Sequence, residues 1–230
     1  MPAGINPYSI DVVICIDTSA SMESILPKVK ETALKLPCDI IETMDFVGKC
    51  VDKARFKVIT FSDNKHSSTS IKESKFFDFC KSDEISEFKN HVNSIKIDGE
   101  SSPENALEAL ACAVKSDWVT DGSCRKRHAI VLFTNSPTLP LTQRCECSKY
   151  PTNLPKSFEE LLDWYCGNAD QTVELKLQKQ AKRLVIFAPH ADPWNNIAQI
   201  ETVYHIPITA DDSESKIDTE CFLYHIVNAI

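Results

Sequence analysis

Asp17, Ser19 and Ser21 set one carboxylate and two hydroxyls at alternate positions of the chain. All three are hard oxygen donors, the chemistry that suits a small divalent cation such as Mg²⁺. Two further polar groups could join them. Asp98-Gly99-Glu100-Ser101-Ser102-Pro103 is a loop rich in hydroxyls, and Thr134-Asn135 offers a hydroxyl and an amide oxygen. Octahedral coordination at about 2.0–2.1 Å accepts hydroxyls, amide oxygens and waters beside a carboxylate. Asp17, Ser19, Ser21, Ser101, Ser102 and Asn135 therefore form the candidate ligand set. Taken one at a time, each has a plainer reading, with Ser21 as a helix cap and Asn135 as a turn residue. What favours the metal is that all three groups fall at equivalent turns.

Those turns follow from the hydrophobic pattern. Val12 to Ile16 is apolar without alternation, the signature of a strand covered on both faces, and it stops at Asp17. Ala129 to Asn135 repeats the arrangement, an apolar strand ending in polar side chains. Arg55–Asp63, Leu184–Pro189 and Glu201–Ile206 read as further strands, with a short edge strand around Ser70 to Phe77. Between them lie helical spacings. Ile25, Val29, Thr32, Ala33 and Leu36 mark a helix directly after the first strand, capped by Ser21 or a neighbouring serine and broken or kinked at Pro37. Asp39 to Val47 continues it. Ser82-Asp83-Glu84 starts a second helix with Ile85, Phe88, His91 or Val92, and Ile95 on its apolar face. Pro103 suits the first turn of a third, through Ala106, Leu110 and Val114. Helices are also expected at Phe158–Tyr165, 173–183, Pro193–Gln199 and Ser213–Ile230, and Arg125 to His128 reads as a solvated turn before a buried strand. Alternation of this kind gives an α/β, doubly wound, mostly parallel central sheet with one antiparallel edge strand and helices on both faces. Chemistry in such sheets gathers at the carboxyl ends of the strands.

At 230 residues the chain suits a single domain, 1–230, with an irregular excursion at about 136–156. Hydrophobic content of 43% and charged content of 25% are those of a globular protein, and no apolar run is long enough to span a bilayer. A net charge of −8 argues against nucleic acid as the partner, since phosphate contacts need a surplus of Lys and Arg. The first residues lack the basic start and apolar stretch of a signal peptide, so a cytoplasmic setting is expected. In that setting the ten cysteines read as reduced thiols. Cys145-Glu146-Cys147, with Cys124 and Cys166 in the same half, offers a weak zinc alternative, because C-x-C lacks paired knuckle spacing.

Asp17-x-Ser19-x-Ser21 after a hydrophobic strand resembles the metal-ion-dependent adhesion site of von Willebrand factor A domains. Pro103-Glu104-Asn105-Ala106-Leu107-Glu108-Ala109-Leu110 is similar to a helix start of many bacterial members. The resemblance implies a Rossmann-like fold whose exposed Mg²⁺, or Mn²⁺ or Ca²⁺, grips a carboxylate on a partner protein. It implies an interaction module of a multi-protein system, of the intracellular, bacterial type, with no membrane or nucleic-acid partner. Two positions depart from the pattern. The family has Thr-Asp-Gly where this chain has Thr134-Asn135-Ser136, which turns a carboxylate into an amide. Its coordinating threonine has no direct counterpart, and Ser101 or Ser102 stands in. With Asp17 as the sole ligand carboxylate, the ion should bind weakly and retain more pull on an acidic partner.

Two other readings stay open. A metal-free scaffold of the same fold would have Asn135 hydrogen-bonding Asp17 or its serines. A phosphatase-like hydrolase would use Asp17 as nucleophile, but the second acid of such sites, two positions on, is Ser19 here, which cannot exchange the proton. No G-x-S-x-G elbow, glycine-rich phosphate loop or H-x-x-x-H spacing occurs, and the expectation is a non-enzyme.

Overall fold

The computed structural model describes residues 7–62, 71–99, 104–144, 150–170 and 172–208, together with Leu223, Tyr224 and Ile226. Strand β1, Tyr8–Asp17, is buried along all ten residues. Its side chains divide between two cores by simple alternation. Ile10, Val12, Ile14 and Ile16 join one cluster, and Val13 and Cys15 the other. A strand that meets apolar neighbours on both sides has no reason to alternate polarity, which is why its sequence is an unbroken apolar run.

Helix α1, Leu26–Phe46, crosses from β1 to β2, Val51–Phe61, which lies parallel to β1. Of the break or kink expected at Pro37, the break does not occur, and the helix continues past Asp39 as expected. The apolar stripe Val29, Ala33, Leu36, Ile40 and Met44 is buried along the whole length. Burying Ile40 and Met44 is worth about 1.5–3 kcal/mol each, enough to offset the ~3 kcal/mol that an interior proline costs. The helix also begins later than expected. Ala20–Met22 is a short 3₁₀ turn, and α1 starts from Ile25 with no side-chain cap, so Ser21 is not its cap.

Beyond β2, β3 (Ile71–Glu73) and β4 (Phe77–Asp78) pair antiparallel with it in two segments of one edge. The register advances by one residue between the segments, around Ser74, whose hydroxyl accepts from the Val58 N–H at 2.9 Å. Helix α2, Ser82–Ser94, packs Phe88 and Val92 onto the α1 face. Helix α3, Ala106–Val114, covers the opposite face together with α5, Phe158–Cys166.

Strand β5, Arg125–Phe133, pairs parallel with β1 on the side away from β2; β6, Lys182–Ala188, and β7, Val203–Pro207, follow in parallel. The order β3-β2-β1-β5-β6-β7, with β4 also on β2, is the expected mostly parallel sheet with an antiparallel edge. Two expectations fail. Arg125 to His128 is strand, not solvated turn, and Arg127 and His128 are buried. Residues 173–181 form no helix: Val173, Leu175 and Leu177 point inward at every second position, the period of extended chain. The 136–156 excursion contains a short helix, α4 (Leu141–Arg144), pinned to α3 by the Arg144–Glu108 ion pair at 3.0 Å. The one-turn helix α6, Trp194–Ile197, is shorter than expected. Most of the expected 213–230 helix lies outside the described residues; Leu223 and Ile226 are buried on the α1 face.

Candidate functional site

Chain order reverses between β1 and β5. From β1 the chain moves to β2 and the antiparallel edge; from β5 it moves away through β6 and β7. Loops leaving two such strands diverge and open a crevice at their carboxyl ends. Asp17 is the last residue of β1, and Thr134, Asn135 and Ser136 follow β5, so the topology itself brings the two polar groups together.

Asp17 is fully buried. Its Oδ1 accepts the Ser19 N–H at 2.8 Å, and its Oδ2 accepts the Thr134 hydroxyl at 2.7 Å. Burial raises its carboxyl above the ordinary range, opposed by the Thr134 hydroxyl, the Ser19 N–H and the Ser19 hydroxyl. Ser19, equally buried, places its hydroxyl 2.9 Å from that of Ser21. The Ser21 hydroxyl donates to Asn135 Oδ1 at 2.7 Å and lies 2.7 Å from the Ser136 hydroxyl. Asn135 Nδ2 returns a bond to the Ser21 carbonyl at 2.7 Å, which fixes the amide orientation and turns Oδ1 toward the hydroxyls.

Four of the six expected ligands, Asp17, Ser19, Ser21 and Asn135, thus meet in one cluster. Ser101 and Ser102 lie outside the described residues. Both flanks of their loop are anchored at the same end of the sheet. Asp98 N–H donates to the Thr18 carbonyl at 2.7 Å, and Glu104 N–H donates to the Pro137 carbonyl at 2.8 Å. Glu104 and Asn105 are not in the helix: they precede α3, with Glu104 bridged to Thr138 and Asn105 Nδ2 donating to the Ser62 carbonyl at 3.3 Å. Cys145 and Cys147 are also outside the described residues, and Cys124 Sγ instead approaches Asp52 Oδ2 at 3.6 Å.

Two residues outside the expected ligand set shape the cluster. Thr134 orients the Asp17 carboxylate, and Ser136 brings a further hydroxyl against Ser21 and, at 3.3 Å, Asn135. The signal for both was their position directly after an apolar strand.

Two of the oxygen spacings suit neighbouring vertices of an octahedral ion, which at metal–oxygen distances of about 2.0–2.1 Å are about 2.9 Å apart: Ser19 to Ser21 at 2.9 Å and Ser21 to Asn135 at 2.7 Å. No group of three or more His, Cys, Asp or Glu side chains suited to a metal occurs among the described residues, so binding would rest on hydroxyl and amide oxygens around one carboxylate.

A family model described as the von Willebrand factor type A domain matches residues 12–137, more than half of the chain. Among solved structures, proximal thread matrix protein 1 of the mussel byssus aligns with 99% of this chain and 49% of its own, at 11% identity and a TM-score of 0.52. The pilus adhesin SpaC of Lactobacillus rhamnosus GG, in an open conformation, aligns with 97% of this chain and 31% of its own, at 13% identity and a TM-score of 0.53. At such identities the likeness is one of fold, and this chain spans half or less of either protein. No curated protein matches the sequence. The matched segment runs from the first apolar strand through the Asn135 loop, and the chain belongs to the von Willebrand factor type A domain family.

Proposed function

We propose that this domain is a protein-interaction module that works through the carboxyl end of its sheet. There a divalent ion, Mg²⁺ or Mn²⁺, held by Asp17, Ser19, Ser21 and Asn135, takes a carboxylate from an acidic surface of the partner. Family members are commonly non-catalytic interaction modules, which supports the general reading. The observation that carries the specific one is the meeting of the β1 and β5 loops around a single buried carboxylate, with oxygens at the spacing of octahedral vertices. When bound, the ion would supply positive charge that one carboxylate leaves partly unneutralised. Thr134 holds Asp17 in place, and Asn135 holds the Ser21 backbone.

A second reading, a metal-free scaffold, is favoured by that same Asn135–Ser21 pairing, since it joins the two loops by hydrogen bonds alone. Titrating Mg²⁺ or Mn²⁺ while following thermal stability separates the two. Stabilisation at millimolar ion that disappears in Asp17→Ala supports the ion. The same shift in both proteins, or none in either, leaves the scaffold. Pull-down with and without chelator then shows whether the partner depends on it. We place the domain in a reducing, cytoplasmic setting, within a multi-protein system, where the seven described cysteines, all free thiols, would stay reduced.

A further inference from the structure

We propose that the Ser136 hydroxyl is a metal ligand in this chain, closing an octahedral face with Ser21 and Asn135. The proposal rests on the divalent-ion reading above and concerns a residue outside the ligand set legible in the sequence.

Ser136 Oγ, Ser21 Oγ and Asn135 Oδ1 form a triangle with edges of 2.7, 2.7 and 3.3 Å. Three mutually adjacent vertices of an octahedron at metal–oxygen distances of about 2.0–2.1 Å form a triangle with edges of about 2.9 Å, which these values straddle. Ser19 Oγ extends the set from the Ser21 corner at 2.9 Å.

Proton accounting points the same way. Each serine hydroxyl has one proton to give, and an amide oxygen has none. Ser19, Ser21 and Ser136 thus bring three protons to four oxygen–oxygen contacts, and the Ser19 hydroxyl is also drawn to Asp17. Whichever way the hydroxyls turn, at least one contact has no proton between its oxygens. Lone pairs left facing one another in this way are suited to a shared cation. Ser136 is buried, so its hydroxyl has little water to turn to. It is held there from behind, since its N–H donates to Thr134 Oγ1 at 3.3 Å while that hydroxyl donates to Asp17. A neutral oxygen cannot replace the charge lost when Asn135 stands where a carboxylate would, but it fills a vertex otherwise left to water.

The test is Mn²⁺ binding by the wild type and by Ser136→Gly, Ser136→Ala and Ser136→Thr, read from the paramagnetic resonance signal of free Mn²⁺, with melting temperatures taken in chelator. Ser136→Gly and Ser136→Ala should weaken binding about tenfold, with melting in chelator close to that of the wild type, and Ser136→Thr, which keeps the hydroxyl, should restore it. If the wild type binds Mn²⁺ and the Gly and Ala variants bind within twofold of it, Ser136 is not a ligand and the divalent-ion reading stands. If the wild type binds no Mn²⁺ while Asn135→Asp does, the divalent-ion reading falls for this chain and the role of Ser136 falls with it.

Discussion

Asn135 grips Ser21 at two points, accepting its hydroxyl at Oδ1 and donating from Nδ2 to its carbonyl, both at 2.7 Å. An amide can do both because it carries acceptor and donor side by side; a carboxylate can only accept. The residue that lowers the charge of the site therefore also ties the β5 loop to the β1 loop when no ion is present. Asn135→Asp should reverse the balance. In chelator it loses the bond to the Ser21 carbonyl and sets a second carboxylate near buried Asp17, lowering stability by about 1–3 kcal/mol. In millimolar Mg²⁺ the loss should be recovered, with ion affinity above that of the wild type. Urea unfolding in the two buffers checks this, and equal stability of the two proteins in chelator would show that the clasp carries no weight.

Thr134 is the counterpart on the Asp17 side. Its hydroxyl donates to Asp17 Oδ2 at 2.7 Å, and Thr134→Val removes that donor with almost no change in shape. Leaving a buried carboxylate oxygen short of a donor should cost about 1–3 kcal/mol. The denaturant midpoint should fall while the slope stays constant, since the surface exposed on unfolding is unchanged. Asp17→Asn added to Thr134→Val should cost less than the two single losses summed, because both act on one bond. Strict additivity would show that Thr134 does not act through Asp17.

The fold was readable because its strongest elements are extreme in pattern. Val12 to Ile16 is apolar on both faces, and nothing but a central strand accommodates that; Asp17 at its end followed from the rule that places sites at strand termini. The errors have local causes. Pro37 by itself signals a break or kink, but Ile40 and Met44 continue the stripe begun by Val29, and burial of a stripe is invisible to a rule about single residues. The stretch ahead of Leu184 suggests a helix, yet Val173, Leu175 and Leu177 recur at a spacing of two, the period of extended chain. By residue type Arg127 and His128 suggest a solvated turn, whereas β5 starts at Arg125, which pairs with Tyr8. In the site, the Ser136 hydroxyl packs against Ser21 and Asn135 at a position where the family motif has glycine, so the motif gives no reason to expect an oxygen there.

His128 yields a pH effect with a definite sign. Its ring is buried against Trp118, with ring centroids 5.0 Å apart; Nε2 lies 3.0 Å from the Val119 carbonyl and Nδ1 accepts the Gln178 N–H at 3.3 Å. That pairing requires the neutral ring with its proton on Nε2. Burial lowers its pKa below 6.5, opposed by the Val119 carbonyl and Asp11 and reinforced by Arg55 and Lys126. A folded state that resists protonation binds fewer protons than the unfolded chain as pH drops below about 6.5. The contribution of His128 is therefore whole above that pH and declines through the window beneath it. His128→Gln should lower stability at pH 7.5 and flatten the slope between pH 7 and 5. If wild type and variant keep parallel stability curves over that range, the ring is not the group responsible.

At the opposite end of the sheet, Asp11 and Arg55 form an enclosed ion pair. Arg55 reaches both carboxylate oxygens of Asp11, Nε to Oδ1 at 2.8 Å and Nη2 to Oδ2 at 2.7 Å, and its guanidinium lies 4.5 Å from the centre of the Phe76 ring. Asp11 also accepts the Val119 N–H at 2.7 Å, so its carboxylate joins β1, β2 and the chain leaving α3. The Asp11 side chain is 1% exposed, against 16% for Arg55. Such an asymmetry makes the acid the vulnerable partner: Arg55→Ala strands a buried negative charge and should cost about 3–5 kcal/mol. Asp11→Asn in that background should recover part of the loss, because the amide oxygen still accepts from Val119 while the charge is gone. Raising salt to 0.5 M should leave the Arg55→Ala deficit almost unchanged, since ions do not reach a pair this enclosed. Denaturant unfolding of the two variants at both salt concentrations decides it; a deficit that vanishes with salt would show that the pair acts as a surface contact.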